Sequence, residues 1–132
     1  MTKYFTPGEV DALIPRLTEI LGPLLDRHAE LLRLRGELRE EQRRIMVSGG
    51  GILDRDAWRG RTLRVEELTP DIQDAIAAIM NLGGAVKDLA LGLVDFPHLM
   101  DDREVNLCWR LGETRIGFWH GLDEGYSNRK PL

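Results

Sequence analysis

The first third of the chain carries an apolar stripe with the period of an α-helix. Between residues 10 and 45, apolar side chains recur at alternating steps of four and three, with polar interruptions in the second half. The stripe follows Thr6-Pro7-Gly8-Glu9, a capping box with proline at the first helical position. The pattern predicts a long helix from about Pro7 to Met46, within the segment of residues 1–47. We expect a kink or a break at Pro15 or Pro23, because each proline deletes an internal hydrogen bond.

The middle of the chain predicts a linker and a second helix. Residues 48–68 begin with a serine and three glycines and then show no sustained hydrophobic period, so we expect a flexible linker there. Thr69 has the side chain of an N-cap and precedes Pro70, and an apolar stripe follows as far as Gly92. These signals predict a second helix over residues 69–91 that forms an antiparallel helical hairpin with the first.

The last third changes its hydrophobic period from 3.6 to 2, which is typical of β-strands. Residues 105–111 and 114–121 flank Gly112-Glu113, a pair suited to a two-residue turn. We therefore expect a two-stranded β-hairpin within residues 92–132, packed on the helices because an isolated hairpin is only marginally stable. The predicted fold class is mainly α (α+β), with residues 1–132 forming a single domain.

Composition narrows the class of protein. The 132 residues are 42% hydrophobic and 30% charged, as in soluble globular domains. The single cysteine, Cys108, excludes an intramolecular disulfide and fits a reducing compartment. We find neither a secretory signal nor a membrane-spanning segment, and expect a cytoplasmic protein. The net charge of -4 gives no general attraction to nucleic acid, although Arg27–Arg64 holds ten arginines against six acids.

One face of the predicted β-hairpin suggests an anion site. In the expected register Arg110 lies opposite Arg115, and Gly117 leaves space beside Trp119. Opposed arginines repel each other unless an acid or an anion lies between them, so we predict binding of a small anion or an acidic partner side chain. The candidate binding residues are Arg110, Arg115, Trp119, Asn106 and Arg129. Alternatively, the counter-charge comes from within the chain, from Asp95, Asp101, Asp102 or Glu104.

Histidines and acids in the same region suggest a metal site. The candidate ligands are His98, His120, Asp95 and Asp123, which are residue types that bind transition metals. Neither an HExxH motif nor a CxxC pair supports them. The alternative for His120 is a hydrogen-bonded histidine on the apolar face of the hairpin. No other cofactor is implied, because the chain has no glycine-rich phosphate loop and no nucleophile elbow.

Short motifs near both ends of the chain form a recognisable set. They are Tyr4-Phe5-Thr6, Ala12-Leu13-Ile14-Pro15, Gly92-Leu93-Val94-Asp95-Phe96-Pro97, Glu104-Val105, the run from Leu107 to Glu113, Trp119-His120, Gly125-Tyr126, Arg129 and Pro131. This set resembles the bacterial and archaeal family called domain of unknown function 2203, over nearly the whole chain. The resemblance implies a long helical pair followed by the C-terminal motif, and no established activity. It directs attention to Asp95, Trp109, Arg110, Glu113, His120, Asp123 and Arg129.

Three functions remain as hypotheses. The first is a non-enzymatic interaction or scaffold domain that forms a homodimer, because the stripe from Leu31 to Ile45 extends beyond the shorter second helix. The second is a domain, or an enzyme, that binds a small anion or a metal through the hairpin motif. The third is nucleic-acid binding through Arg27–Arg64, which the interleaved acids disfavour. The residues favour the first hypothesis.

Overall fold

The computed structural model describes residues 2–49 and 54–132. Its elements are α1 (Pro7–Val47), α2 (Arg55–Asn81), β1 (Ala85–Asp88), β2 (Leu93–Met100), β3 (Arg103–Arg110), β4 (Phe118–His120), a 3-10 turn (Tyr126–Asn128) and β5 (Lys130–Pro131). The predicted α+β class is confirmed, because two long helices precede an antiparallel sheet. The prediction of a two-stranded hairpin is wrong, since the sheet has five strands in the order β1-β2-β3-β4-β5.

Helix α1 begins at the predicted capping box and continues through both of its prolines. The Glu9 amide donates to Thr6 Oγ1 at 3.1 Å, and the Thr6 amide donates to Glu9 Oε1 at 3.0 Å. Pro15 and Pro23 lie inside the helix with exposed side chains, where water can satisfy the carbonyls that lose their partners. The helix therefore does not break at either proline.

Helix α2 begins 14 residues before the predicted start at Thr69. Asp54 is the N-cap and accepts a hydrogen bond from the Ala57 amide. The prediction of a linker over residues 48–68 is thus wrong for residues 55–68, and residues 50–53 lie outside the described part of the chain. Packing explains the difference, because Leu68 is fully buried in the core while Thr69 bonds back to the Val65 carbonyl instead of capping.

The second helix ends at Asn81, so its predicted extension to residue 91 is also wrong. Gly83 follows with a φ of +101°, a left-handed conformation that suits glycine and stops the helix. The Phe5 ring packs directly on this glycine, since a Cβ there would lie 2.2 Å from Phe5 Cζ. The chain after the glycines forms β1 and β2, and the Phe5 amide bonds to the Pro97 carbonyl of β2.

The two helices form an antiparallel hairpin held by apolar contacts and by ion pairs between the helices. Leu31 and Leu34 of α1 are buried in the core. Arg64 of α2 makes two hydrogen bonds to the Glu30 carboxylate at 2.8 and 3.0 Å. Within the described ranges, neither helix contains an apolar stretch that could cross a membrane. A cytoplasmic location stays a prediction.

Strands β2 and β3 form an eight-residue ladder joined by a tight turn at Asp101-Asp102. Both aspartates have positive φ, 51° and 64°, as a type I′ turn requires. We call the side of the sheet against the helices the inner face. It contributes Val94, Phe96, Leu107 and Trp109 to the hydrophobic core. The opposite side, the outer face, carries the alternate residues of the same strands.

Strand β4 pairs with β3 in a register shifted by one residue from the predicted hairpin. Leu107 lies opposite Trp119, not opposite Phe118, and Asn106 lies opposite His120. A turn does form one residue earlier than predicted, at Leu111-Gly112, where the Glu113 amide donates to the Arg110 carbonyl at 3.0 Å, and residues 111–117 separate β3 from β4. A shift of one residue exchanges the two faces of a strand, so Trp119 is on the inner face and His120 is on the outer face.

Candidate metal centre

Three neighbouring strands bring a carboxylate, a thiol and an imidazole together on the outer face. Asp95 of β2 lies directly opposite Cys108 of β3, and His120 of β4 lies opposite Asn106, two residues before Cys108. Asp95, Cys108 and His120 each place one potential metal-binding atom within 4.8 Å of the other two. Their exposed fractions are 3%, 1% and 3%. This buried group is called the outer-face cluster below.

The hydrogen bonds of His120 indicate that a proton or a cation lies between its ring and the Asp95 carboxylate. His120 Nδ1 is 2.8 Å from the Gly121 carbonyl, which only accepts hydrogen bonds, so Nδ1 carries a hydrogen. His120 Nε2 is 3.0 Å from Asp95 Oδ2. A neutral ring would direct the Nε2 lone pair at a carboxylate lone pair, which is repulsive. A shared proton or a metal cation removes this repulsion.

The second oxygen of Asp95 is unsatisfied. Asp95 Oδ1 is buried, and no described residue meets it with hydrogen-bond geometry, although the Cys108 thiol lies close enough to the Asp95 carboxylate to lower its pKa. Burial raises the pKa of Asp95, and the charge of His120 partly opposes this effect. Burial and then the charge of Asp95 raise the pKa of the Cys108 thiol to about 12, so the thiol is protonated at neutral pH. A buried polar atom without a partner calls for an explanation.

A small cavity of about 150 Å³ opens beside the outer-face cluster. All three residues of the cluster line it, and Lys87, Asn106 and Tyr126 form part of its wall. This volume holds a few water molecules or a very small ligand, at about 30 Å³ for each water. An ion bound by the cluster would thus have one side facing this cavity.

The C-terminal segment covers the outer face and is held there by two sets of charged contacts. Arg129 donates two hydrogen bonds to the Glu113 carboxylate, at 2.8 and 2.7 Å, and lies over the Tyr126 ring. Glu124 accepts from the Gly121 amide at 2.8 Å and from Lys130 at 2.6 Å. These contacts fix the backbone on either side of the 3-10 turn. They keep the Gly121 carbonyl in place to orient the His120 ring.

The donor atoms of the outer-face cluster suit zinc. Zinc is bound in proteins by cysteine sulfur, histidine nitrogen and carboxylate oxygen, and three protein ligands with an open position are typical of catalytic sites. With bonds of about 2.0–2.1 Å, two nitrogen or oxygen ligands lie about 3.3 Å apart, so the observed 3.0 Å between His120 Nε2 and Asp95 Oδ2 needs little widening. The Nδ1–H bond to Gly121 is the usual outer contact of a metal-binding histidine.

Two of the four predicted metal ligands meet in this site. Asp95 and His120 are in direct contact. His98 is on the inner-face side of β2, where its Nδ1 donates to the Phe5 carbonyl at 2.6 Å. Asp123 is exposed to solvent. The predicted grouping of His98 and Asp123 with the other two is wrong, because His98 lies three residues from Asp95 on the same strand and so points to the opposite face, and Asp123 lies beyond the end of β4.

The predicted pairing of two arginines is wrong, since its register does not form. Arg110 lies opposite Leu93, and its Nη1 donates to the Tyr126 hydroxyl at 2.8 Å. Arg115 is exposed in the segment after β3. Trp119 packs on the core from the inner face, with the Lys130 ammonium 4.8 Å from its ring. These three side chains do not enclose a common recess.

The other two predicted anion-binding residues have different surroundings. Arg129 forms an ion pair within the chain with Glu113. Asn106 is half-buried beside the outer-face cluster and lines its cavity. Whether these residues bind a ligand stays a prediction.

The sequence analysis missed Cys108 as part of a site. No strand was predicted between residues 92 and 104, where its partner strand β2 lies, so nothing placed Asp95 opposite the thiol. The signal was the alternation Val94-Asp95-Phe96, followed by two turn-forming aspartates. That alternation is typical of a strand with one polar side chain on its second face.

The fold and the site together define a class of protein. It is an α+β protein in which a long helical hairpin precedes a five-stranded antiparallel sheet with a buried carboxylate, thiol and imidazole. The chain belongs to the family described as "Uncharacterized conserved protein (DUF2203)", whose model matches residues 3–132. This match confirms the resemblance inferred from the motifs. No curated protein and no solved structure is significantly similar to the chain.

Proposed function

We propose that the protein binds one divalent transition-metal ion, with zinc the best match, through Asp95, Cys108 and His120. The observation that carries the proposal is Asp95 Oδ1, a fully buried carboxylate oxygen without a partner among the described residues. The other oxygen of this carboxylate, Oδ2, lies 3.0 Å from His120 Nε2, and Cys108 lies opposite Asp95 on the neighbouring strand. A cation satisfies all of these groups at once.

Charge balance supports a doubly charged ion. Binding displaces the thiol proton of Cys108 and the proton shared by Asp95 and His120, which leaves one thiolate, one carboxylate and a neutral imidazole. Two negative charges then neutralise the ion inside the buried site, so no net charge is left away from water. The remaining coordination position faces the cavity, where a bound ion would supply Lewis-acid chemistry to a small ligand or a water molecule.

Metal titration tests the proposal. The full chain, freed of metal by a chelator, is titrated with Zn²⁺ and with Co²⁺. We expect one ion per chain and, for Co²⁺, the near-ultraviolet absorption of a cobalt–thiolate bond. The expected affinity rises with pH, by about tenfold per pH unit for each proton released, because metal competes with protons for the same atoms.

Conservative variants identify the ligands. Asp95→Asn, Cys108→Ser and His120→Gln are each expected to weaken zinc binding by at least about tenfold, and Cys108→Ser also removes the thiolate absorption. His98→Gln is the matched control, because His98 lies on the other face of the same strand and should leave the affinity unchanged.

The competing interpretation is a metal-free pair in which Asp95 and His120 share a proton for structural reasons. It predicts that zinc binds weakly, without one-to-one stoichiometry, and equally in wild type and the three variants. That result would refute the metal proposal.

An interaction or scaffold role through the helices stays a second proposal. Its premise of an uncovered stripe is wrong for Leu31 and Leu34, which are buried in the core because α2 begins at Arg55, while Leu38 and Ile45 are half-buried. The remaining support for a homodimer is smaller: Leu32 and Leu63 are 50% and 51% exposed. Light scattering at micromolar concentration tests it, and a monomeric mass would refute it.

A further inference from the structure

A single tryptophan lies between two hollows near the closed end of the helical hairpin. Trp58 of α2 lines a hollow of about 290 Å³ with Arg55 and Arg59 of its own helix. It also lines a hollow of about 530 Å³ with Leu32, Arg35 and Arg39 of α1. We call these six residues the hairpin-tip surface. The indole is half-buried, so it contributes to the walls of both hollows and remains accessible.

The arginines of the hairpin-tip surface differ from the other arginines between the helices. Arg61 and Arg64, on the next turns of α2, form ion pairs with Glu37 and Glu30 of α1. By contrast, none of the four arginines around Trp58 is within ion-pair distance of an acidic side chain in residues 2–49 and 54–132. Four exposed guanidinium groups, none in an ion pair within these residues, therefore line the two hollows that share Trp58.

Apolar area lies next to this positive charge. Leu32 is 50% exposed at one side of the surface, and Leu63 of α2 is 51% exposed at the other. Tryptophan and arginine are the side chains that most often dominate the energy of protein interfaces. Arginine also binds carboxylates in a planar, two-point geometry that lysine lacks.

We propose that the hairpin-tip surface binds an acidic segment of a partner protein, which places carboxylates on the arginines and an apolar side chain against Trp58. Charge complementarity carries the choice of partner, since the four arginines form no ion pair within residues 2–49 and 54–132 and their guanidinium groups can donate to carboxylates in the two-point geometry. A second copy of the chain is disfavoured, because a symmetric contact would set four arginines against four. The exposed leucines favour a peptide over a nucleic-acid backbone, which offers phosphates and no aliphatic side chains to meet them.

Peptide selection tests this proposal with the full chain. A display library of random 12-residue peptides is selected against wild type, and the enriched sequences are then measured by fluorescence anisotropy. We expect an excess of Asp and Glu together with at least one large apolar residue. Affinity should fall by at least about tenfold in Trp58→Ala and in Arg35→Ala/Arg39→Ala. The matched control, Arg103→Ala/Arg115→Ala, removes the same charge from the sheet end and should bind like wild type.

Each other outcome overturns the proposal. These outcomes are no enriched peptide, enrichment without acidic residues, or equal affinity in the tip variants and the control. Tighter binding of a 12-nucleotide poly(U) probe than of the best peptide would assign the surface to nucleic acid. A concentration-dependent dimer that Arg35→Ala/Arg39→Ala abolishes would assign it to self-association. Circular dichroism of each variant confirms that the hairpin is folded.

Discussion

The part of the β2–β3 hairpin formed by Leu93–Phe96 and Leu107–Trp109 is buried on both faces, by different means. On the inner face, Val94, Phe96, Leu107 and Trp109 are all fully buried in the core with the helices. On the outer face of the same strands, Asp95 and Cys108 are almost as completely buried beneath the C-terminal segment. One face removes apolar area from water, while the other removes a carboxylate and a thiol.

The two faces differ in whether packing explains them. Burial of hydrocarbon is favourable in itself, so the inner face needs no function to account for it. Burial of a carboxylate is costly unless all of its atoms find partners, and Asp95 Oδ1 finds none among the described residues. Degree of burial alone does not distinguish the two faces, whereas hydrogen-bond satisfaction does. The following predictions test this difference.

Removing the largest inner-face side chain should have the largest effect on stability. Trp109→Ala is expected to lower the free energy of unfolding by about 3–5 kcal/mol, because it leaves a large cavity and deletes the indole bond to the Glu113 carbonyl. Denaturant unfolding followed by circular dichroism measures the loss. Val94→Ala should lower the free energy of unfolding by less. It can be measured in place of Trp109→Ala if that variant does not fold. A loss below about 1 kcal/mol for Trp109→Ala would contradict its place in the core.

A single methyl group added at the edge of the inner face should destabilise the protein. Gly83→Ala is expected to cost about 1–3 kcal/mol, since the new Cβ collides with the Phe5 ring and the backbone has positive φ. Gly60→Ala is the matched control within α2. A Cβ there meets nothing within 4 Å among the described residues, and the change should stabilise by about 0.5–1 kcal/mol. Equal effects of the two substitutions would show that Phe5 does not pack on Gly83.

On the outer face, one substitution should move stability and metal affinity in opposite directions. In Cys108→Ser the hydroxyl can donate to Asp95 Oδ1, so the metal-free protein should keep its stability or gain up to about 1 kcal/mol. Zinc affinity should fall by at least about tenfold, because the thiolate ligand is lost. Thermal melts with and without zinc measure both effects. If stability and zinc affinity fall together, Cys108 is buried for packing in the same way as the residues of the inner face.

The smallest expected effect on stability concerns the capping box of Thr6 and Glu9 at the start of α1. The Thr6 amide and then the Thr6 hydroxyl lower the pKa of Glu9 below its usual value. This contribution to stability is present above the pKa of glutamate in the unfolded chain and is lost as pH falls through the lowered value. Glu9→Gln should therefore melt slightly below wild type at neutral pH and together with it in acid. A difference that persists in acid would assign the effect to side-chain shape.

The first helix was predictable because its signals are local and agree with one another. The capping box and the apolar stripe gave both ends of α1 to within a few residues. The second helix was not, because Thr69-Pro70 is a strong local start signal that tertiary burial of Leu68 overrides. The predicted second helix also ran through Gly83 and Gly84 to residue 91, whereas the helix ends before them.

The candidate site was half predictable. Asp95 and His120 were predicted as metal ligands from residue type alone. They were grouped with His98 and Asp123, whereas the structure brings them together with Cys108. The turn at Gly112-Glu113 was assumed to connect paired strands, and this error of one residue exchanged His120 with Trp119 between the faces. The Asp101-Asp102 turn, which sets the ladder between Asp95 and Cys108, lacks the glycine that usually reveals a type I′ turn.

The tight β2–β3 turn also has a consequence for folding order. Asp95, Cys108 and His120 lie within a stretch of 26 residues, so their strands can meet without closing a long loop. The inner face instead requires Phe5, whose amide bonds to the Pro97 carbonyl across most of the chain. Contacts of short sequence range form with less loss of chain entropy and therefore tend to form sooner. The polar ligands can thus be placed side by side before the N-terminal end of the chain docks on the other face of the sheet.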